Sequence, residues 1–291
     1  MKKIALIGNC QSTALSNFFK RVNGIEVVSL LDINCQGTPD FERDKYRLLN
    51  SNDIDFVLSQ PLSDSFNNLS SSFLREKFKD RFISYTNIFF TGLHPDLSYF
   101  GSFNQRINSP LGDYHSKLAL TAFAKNMSIT ECLDLYCQEV YEKMYYFSCF
   151  ENSQIELINR DVNNEIKFAK DFFELARQEL PLYAVNHPTK IVIEKLGKKI
   201  LSHLGYDVNL GSSFFVDPFI SSTIWPVYEE VSKMHNLPYS TSMLFLPQVE
   251  SGMKALDLQE LVVRSFEKYR SVGHKEFMKI GLAQELEAIP L

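Results

Sequence analysis

The feature that most constrains the fold is a short apolar run at the start of the chain, followed at once by a polar turn. The run, Ile4 to Ile7, contains β-branched residues and is typical of a fully buried strand in a parallel sheet. From Ala14 to Phe19, apolar residues recur at helical spacing. The residues from Gly8 to Gln11 are therefore predicted to form a turn that leads from a buried strand into a helix.

This turn is a candidate site, because open α/β sheets bind ligands just outside the carboxyl ends of their strands. Cys10 lies in it, where unpaired backbone amides and the positive end of the helix dipole favour a thiolate. We therefore expect a lowered pKa for Cys10 and a role as a nucleophile or in an anion site. In the structural alternative, Asn9 only caps the helix and Cys10 packs as a small hydrophobic residue.

Composition excludes several classes of protein. The chain has 291 residues, of which 45% are hydrophobic and 22% are charged, as in an ordinary globular protein. A net charge of -5 without clustered Lys and Arg argues against nucleic-acid binding. The first apolar run is too short for a signal peptide, and no run approaches transmembrane length. Five cysteines without metal-ligand spacing predict a reduced, cytoplasmic protein that holds no metal.

The first half of the chain alternates between apolar runs and helical patterns. The runs Ile25–Leu31, Ile54–Leu58 and Ile88–Phe90 are predicted as the second, third and fourth strands. A charged helix over Pro39–Asn50 and a shorter one over Phe73–Phe78 are predicted between them. Such alternation indicates a parallel sheet with right-handed crossovers.

The second half has mainly helical spacing. Asp113 to Tyr146 is helical with a break at Ser128, where Ser128 and Glu131 form a capping box. Further helices are predicted over residues 162–179, 190–204, 227–234 and 256–270. The predicted fold class is therefore α/β, with a small parallel sheet and flanking helices in the N-terminal half and a mainly helical C-terminal half. We expect a Rossmann-like part over residues 1–112 and a helical part over residues 113–291, packed as one compact unit.

Three predicted strands end in potentially reactive side chains, namely Cys10, Gln60 and His94. Because the ends of parallel strands share one edge, these residues are expected to converge on a cleft. His94 can act as a general base, and Asp96 can fix its tautomer and stabilise the imidazolium. In the structural alternative, the residues from His94 to Asp96 form an ordinary turn and the imidazole only packs.

Two more clusters contain polar side chains at predicted helix starts. His115 lies in the first, which the structural alternative explains by Asp113 as a helix N-cap. Asn186 and His187 lie in the second, where they and backbone amides can hold a phosphate or a carbonyl oxygen. The alternative there is a helix with Pro188 in its first turn and Asn186 as its cap. No dinucleotide or nucleoside triphosphate fingerprint occurs, and basic residues are too scattered to assign a phosphate site.

Five short motifs occur in a fixed order along the chain: GNCQS at 8–12, SQP at 59–61, GLHPDLSYF at 92–100, GDYHS at 112–116 and NHPT at 186–189. This ordered set resembles the WcbI-type capsular polysaccharide biosynthesis family, which is acetyltransferase-like. No single motif is specific, but their order and spacing agree over roughly the first 205 residues. The tail after Gly205 carries no such motif and is a candidate region for substrate choice.

The resemblance implies an enzyme that binds coenzyme A or a related 3′-phosphorylated adenine nucleotide and transfers an acetyl group to a sugar or glycan hydroxyl in surface polysaccharide synthesis. An association with a capsule assembly complex is a further expectation. Motif matching puts Cys10 and His94 in the reactive centre, and Asp96 joins them as the third catalytic candidate. The expected cofactor-binding residues are Gly8, Asn9, Gln11, Ser12, Gln60, His115, Asn186 and His187.

Two mechanisms remain open for the transfer. Either His94 deprotonates the sugar hydroxyl for direct attack on acetyl-coenzyme A, or Cys10 first takes the acetyl group. Helix-start amides and the side chains of Asn9 or Gln11 can hold the developing oxyanion in both. Two other functions also stay open: a cysteine- or histidine-dependent esterase or thioesterase-like hydrolase, and a non-catalytic nucleotide- or glycan-binding module of a capsule assembly system.

Overall fold

The computed structural model describes residues 1–102, 105–206 and 216–289. The first part comprises β1 (Lys2–Gly8), α1 (Cys10–Phe19), β2 (Ile25–Asp32), α2 (Pro39–Asn50), β3 (Phe56–Ser59), α3 (Ser71–Phe78), β4 (Phe82–Ser84), β5 (Leu97–Tyr99), β6 (Gly101–Ser102), β7 (Gln105–Arg106) and β8 (Tyr114–Ser116). The remainder comprises α4 (Lys117–Ala124), α5 (Ile129–Asp134), α6 (Gln138–Lys143), α7 (Cys149–Asp161), α8 (Ala169–Ala176), β9 (Leu182–Ala184), β10 (His187–Pro188), α9 (Lys190–His203), α10 (Glu229–Met234), β11 (Leu244–Phe245), β12 (Leu256–Asp257), α11 (Leu258–Val272), α12 (His274–Phe277) and α13 (Gly281–Glu287).

A four-stranded parallel sheet in the order β2-β1-β3-β4 forms the centre of the N-terminal half. The run from Ile4 to Ile7 in β1 is fully buried, because β1 has a strand on each side and helices cover the sheet. Together with the mainly helical C-terminal half, this sheet confirms the predicted α/β fold class.

The predicted fourth strand, Ile88–Phe90, is wrong. The fourth strand is β4, which pairs in parallel with β3. Ile88 and Phe90 are buried in an irregular segment, where the Gln11 side chain bonds the Ile88 backbone and Phe90 N donates to Val185 O. Burial of both apolar side chains therefore does not require sheet pairing, and His94 lies in a turn rather than at a strand end.

Several predicted helices are confirmed, among them α2, with both of its predicted ends. The capping box of Ser128 and Glu131 opens α5, with both reciprocal hydrogen bonds formed. The predicted helix over residues 162–179 is too long: only α8, Ala169–Ala176, is helical there, and α7 ends before it at Asp161. The carboxylate of Asp161 accepts the N–H groups of Phe168 and Ala169, and thereby stabilises the start of the second helix.

Two predicted helix starts are also different in the structure. Tyr114–Ser116 forms a strand, and the N-cap of α4 is Ser116 rather than Asp113. Pro188 belongs to the short strand β10, and the N-cap of α9 is Thr189. In both places, the candidate histidine lies in a short strand that precedes the helix: His115 in β8 and His187 in β10.

The chain divides into two compact units, each built from separate stretches of sequence. Unit 1 comprises residues 1–88, 156–175 and 188–218, and unit 2 comprises residues 89–155, 176–187 and 219–291. In unit 1, Gly197 of α9 lies so close to the Phe18 ring of α1 that a Cβ atom would have no room. In unit 2, aromatic rings such as those of Phe123 and Phe277 pack with centroids 4.8 Å apart. The predicted domain organisation, with a Rossmann-like part over residues 1–112 and a helical part over residues 113–291, stays a prediction.

Candidate functional site

The strands of the unit 1 sheet end side by side. Gly8 pairs with Asp32, Ile7 with Ser59, and Ser59 with Ser84. The residues that follow these ends therefore lie along one carboxyl edge, as the parallel arrangement predicts.

Cys10 is the first residue of α1, at this edge. Asn9 is the N-cap, and its Oδ1 accepts the N–H of Gln11 at 3.0 Å. Gly8 is required before it, because a Cβ atom there would lie 2.5 Å from Gln60 Oε1 and still closer to Ser12 Oγ. Asn9 and Cys10 are half-buried, whereas the other residues of this turn are buried.

The pKa of Cys10 is raised, so the predicted lowering is wrong. Burial, followed by the negative charge of Asp32, raises the pKa of the thiol to about 11. The backbone amides of Gln11 and Cys10 act in the opposite direction, but their effect is smaller. The thiol is consequently neutral at physiological pH.

A network of side-chain amides surrounds the turn. Gln60 Oε1 accepts the N–H of Asn9 at 2.8 Å, and Gln60 Nε2 donates to Gln11 Oε1 and to Asn87 Oδ1, both at 3.2 Å. Gln11 in turn bonds both backbone groups of Ile88, at 2.7 and 3.1 Å. The side-chain amides of Gln11 and Gln60 thus hydrogen-bond to other groups of unit 1. Their roles in cofactor binding stay predictions.

Ser12 is likewise engaged within unit 1. Its Oγ lies 2.6 Å from the hydroxyl oxygen of Tyr85, and both side chains are fully buried. Burial also raises the pKa of Tyr85 above its ordinary value. Ser12 therefore has a structural contact, and its predicted contact with a cofactor stays a prediction.

His94 and Asp96 belong to unit 2 and are fully buried. Burial lowers the pKa of His94 to about 3, against a smaller opposing effect of the Trp225 backbone. Among the described residues, the ring nitrogens of His94 make no well-aligned hydrogen bond, and the Trp225 backbone is only a weak partner of the ring. Because its pKa lies so far below 7, the imidazole is neutral at physiological pH.

Asp96 does not hydrogen-bond to His94 within the described part of the chain. Its carboxylate instead accepts the hydroxyls of Tyr146 and Tyr228, each at 2.7 Å, and the N–H of Leu118 at 3.0 Å. These three donors compensate for the burial of the carboxylate. The predicted role of Asp96 as a partner of the imidazole has no direct contact to support it.

His115 uses both ring nitrogens inside unit 2. Its Nε2 donates to the carbonyl of Ile107 at 2.7 Å, and its Nδ1 lies 2.9 Å from the hydroxyl of Tyr269. Burial lowers the pKa of His115 to about 4. These contacts give His115 a structural role, and its predicted role in cofactor binding stays a prediction.

Asn186 and His187 share one neighbour, Tyr114. The Tyr114 hydroxyl donates to Asn186 Oδ1 at 2.8 Å and lies 3.3 Å from His187 Nε2. The His187 ring stacks on Phe219, with centroids 4.9 Å apart, and burial lowers the pKa of His187 to about 4. The structure thus brings Asn186 and His187 together with Tyr114, which lies in the GDYHS motif but is not among the expected site residues.

Four residues that contact or influence the candidate site residues were not selected from the sequence. Asp32 directly follows a predicted strand, so selecting every polar residue after a predicted strand would include it. Asn87 follows β4, but it precedes the predicted fourth strand, Ile88–Phe90, so the rule for strand ends does not select it. Tyr146 and Tyr228 had no local signal, since they are 50 and 132 residues from Asp96.

Two further searches concern metals and membranes. The described residues include no group of three or more His, Cys, Asp or Glu side chains that could hold a metal ion. Within the same ranges, every helix is too short or too polar to cross a bilayer.

Comparison with known proteins agrees with the motif pattern. The family model "Polysaccharide biosynthesis enzyme WcbI" matches residues 3–209, which is more than two thirds of the chain. A solved structure of WcbI, described as a polysaccharide biosynthesis enzyme in its native form without a disulfide bond between coenzyme A and a cysteine, is 18% identical. The match has a TM-score of 0.80 and covers 99% of this chain and 95% of that one, which shows a shared fold. No curated protein gave a significant match. The chain belongs to the WcbI family of polysaccharide biosynthesis enzymes.

Proposed function

We propose that this protein is a coenzyme A dependent O-acetyltransferase that acetylates a hydroxyl of a sugar or glycan precursor of surface polysaccharide. The observation that carries the proposal is the position of Cys10, which begins a helix at the carboxyl edge of a parallel sheet in a WcbI family chain. The structural neighbour WcbI is described as a native protein without a disulfide bond between coenzyme A and a cysteine. A cysteine at a ligand-binding edge is consistent with the same donor here.

The unit 1 edge fits a thioester donor in its chemistry. Asn9 and Cys10 are the half-exposed residues of the turn, so a ligand can reach them, whereas Gln11 and Gln60 hold the turn in shape. Coenzyme A supplies an acetyl group that is already activated as a thioester. The protein then has to orient this group and remove a proton from the acceptor hydroxyl. The hydroxyl oxygen bonds to the acetyl carbon as the carbon–sulfur bond breaks, and coenzyme A leaves as a thiol with that proton.

Direct transfer is the mechanism that the raised pKa of Cys10 favours. A neutral thiol is a poor nucleophile, so a thiol with a pKa of about 11 is unsuited to take the acetyl group itself. His94 stays the general-base candidate that the sequence indicates, and its imidazole is neutral at physiological pH, as a base must be before it takes a proton.

Two measurements test the proposed function. Calorimetry with coenzyme A should show binding, and its absence would refute the donor assignment. Surface polysaccharide from cells that lack the gene should lose O-acetyl groups, and a plasmid copy should restore them. Release of free acetate from acetyl-coenzyme A without any acceptor dependence would instead support the hydrolase alternative. The proposal includes the cytoplasmic location and the association with a capsule assembly complex that are expected from the sequence.

A further inference from the structure

Gln60 bonds to both residues that flank Cys10, although it follows a different strand. Its carbonyl oxygen accepts the N–H of Asn9 at 2.8 Å, and its amide nitrogen donates to Gln11 Oε1 at 3.2 Å. The same nitrogen donates to Asn87 Oδ1, also at 3.2 Å. We propose that Gln60 is a positioning residue for Cys10 and that it acts only as a neutral amide.

The two flanking residues are themselves held in place. Asn9 caps α1 through the N–H of Gln11, and Gln11 bonds both backbone groups of Ile88. When Gln60 ties Asn9 to Gln11, the backbone of Cys10 is constrained on both sides. The location of the thiol is thus set by β3 and by the segment after β4, as well as by its own helix.

Direct contact between Gln60 and a ligand is less consistent with the structure than this positioning role. The side chain is only 1% exposed, and both hydrogens of its amide point to carbonyl oxygens within unit 1. Its carbonyl oxygen is also packed against Gly8, where a Cβ atom would lie 2.5 Å away. The amide is therefore part of the wall of the turn.

The site requires an amide because it must accept one hydrogen bond and donate two. Glutamate has the same shape and can accept the N–H of Asn9, but its second oxygen would face Gln11 Oε1 and Asn87 Oδ1, which are both acceptors. Methionine has a similar length and makes none of the three bonds. The two substitutions therefore perturb the turn in different ways.

This inference rests on the proposed function only for its chemical meaning, because the position of Cys10 matters for transfer only if this edge binds the donor. The experiment therefore uses readouts that need neither coenzyme A nor turnover. The first is hydrogen exchange of the Asn9 amide by NMR. The second is the pH dependence of Cys10 alkylation by iodoacetamide, followed on the Cys10 peptide by mass spectrometry.

In full-length protein, Gln60→Met should speed exchange of the Asn9 amide by about tenfold, as expected for loss of one hydrogen bond. It should also speed alkylation of Cys10, because a loosened turn exposes the thiol. Gln60→Glu should keep Asn9 exchange slow and should slow alkylation at pH 8, because a nearby carboxylate raises the pKa of the thiol. A general loss of packing would not produce these opposite shifts.

Gln36→Met is the matched control, since Gln36 is exposed and lies outside the network. Asn87→Ala removes one acceptor and keeps Gln60, so it should speed alkylation even if Gln60→Met fails to fold. Wild-type exchange and alkylation in the Gln60 and Asn87 variants would overturn the inference, and loss of coenzyme A binding alone would assign Gln60 to the ligand. If the wild-type protein does not bind coenzyme A, the proposed function fails. Asn9 amide exchange and Cys10 alkylation still decide whether Gln60 positions Cys10.

Discussion

The carboxylate of Asp32 raises the pKa of the Cys10 thiol, because β2 and β1 end side by side with Asp32 opposite Gly8. The effect adds to that of burial, which is the larger cause. Together they outweigh the helix-start amides, which favour the thiolate. Burial and the charge of Asp32 therefore stabilise the neutral thiol of Cys10 relative to the thiolate.

Asp32→Asn should lower the pKa of Cys10, because it removes a negative charge and leaves the burial of the thiol unchanged. Alkylation of the Cys10 peptide at pH 8 should consequently become faster than in the wild type, by about tenfold for each unit by which the pKa falls. Asp53→Asn is the control, since Asp53 is an exposed acid that pairs with Lys3. An unchanged alkylation profile in Asp32→Asn would contradict the assigned charge effect.

His94→Ala should lower turnover by about a hundredfold or more, which is the usual size of a general-base contribution. Steady-state kinetics with acetyl-coenzyme A and an acceptor measures this effect. The coenzyme A affinity should stay near that of the wild type. If most of the turnover remains, His94 is not the base, and His187 becomes the next residue to test.

Cys10→Ser should keep most of the turnover if transfer is direct, because the acceptor hydroxyl and not Cys10 then attacks the thioester. A covalent route would instead lose nearly all activity. Rapid-quench analysis with labelled acetyl-coenzyme A provides a second readout, since an acetylated Cys10 peptide should not accumulate in the wild-type protein. Its accumulation would reverse the choice of mechanism.

Acidification from pH 7 to pH 5 should destabilise the fold through buried histidines. The pKa of His115 is about 4 in the folded protein and about 6.5 in an unfolded chain, so the unfolded state binds more protons between these values. Stability is therefore lost as the pH falls below 6.5, by about 2 kcal/mol for this residue at pH 5. Urea unfolding of His115→Gln at both pH values should show a smaller pH dependence than the wild type. If the unfolding free energies of the variant and the wild type depend equally on pH, His115 does not cause the loss of stability in acid.

Tyr146→Phe should lower the free energy of unfolding by about 1–3 kcal/mol, because it removes a hydroxyl that donates to the buried carboxylate of Asp96. Tyr228→Phe should have a similar effect for the same reason. Tyr145→Phe is a matched control, since Tyr145 is 75% exposed. Denaturant unfolding provides the measurement, and equal stability of Tyr145→Phe and Tyr146→Phe would show that the hydroxyl bond contributes nothing net.

The sequence by itself determined the features that depend on neighbours along the chain. The buried run before Gly8, the helix after the turn, α2 and the capping box at Ser128 follow from side-chain periodicity and local hydrogen bonds. The helix begins at Cys10, inside the predicted turn of Gly8 to Gln11. The ordered motifs also indicated the WcbI family over the region that the family model matches.

Tertiary structure alone decided which buried apolar run pairs in the sheet and what each candidate side chain contacts. Ile83 and Ile88 are both buried, but only the first lies in a strand, because Gln11 satisfies the backbone of the second. The charge state of Cys10 likewise depends on burial and on Asp32, which is 22 residues away in the sequence. Asp96 finds its hydroxyl partners at still greater separations. Desolvation and long-range hydrogen bonds depend on distances in space, which local sequence patterns do not encode.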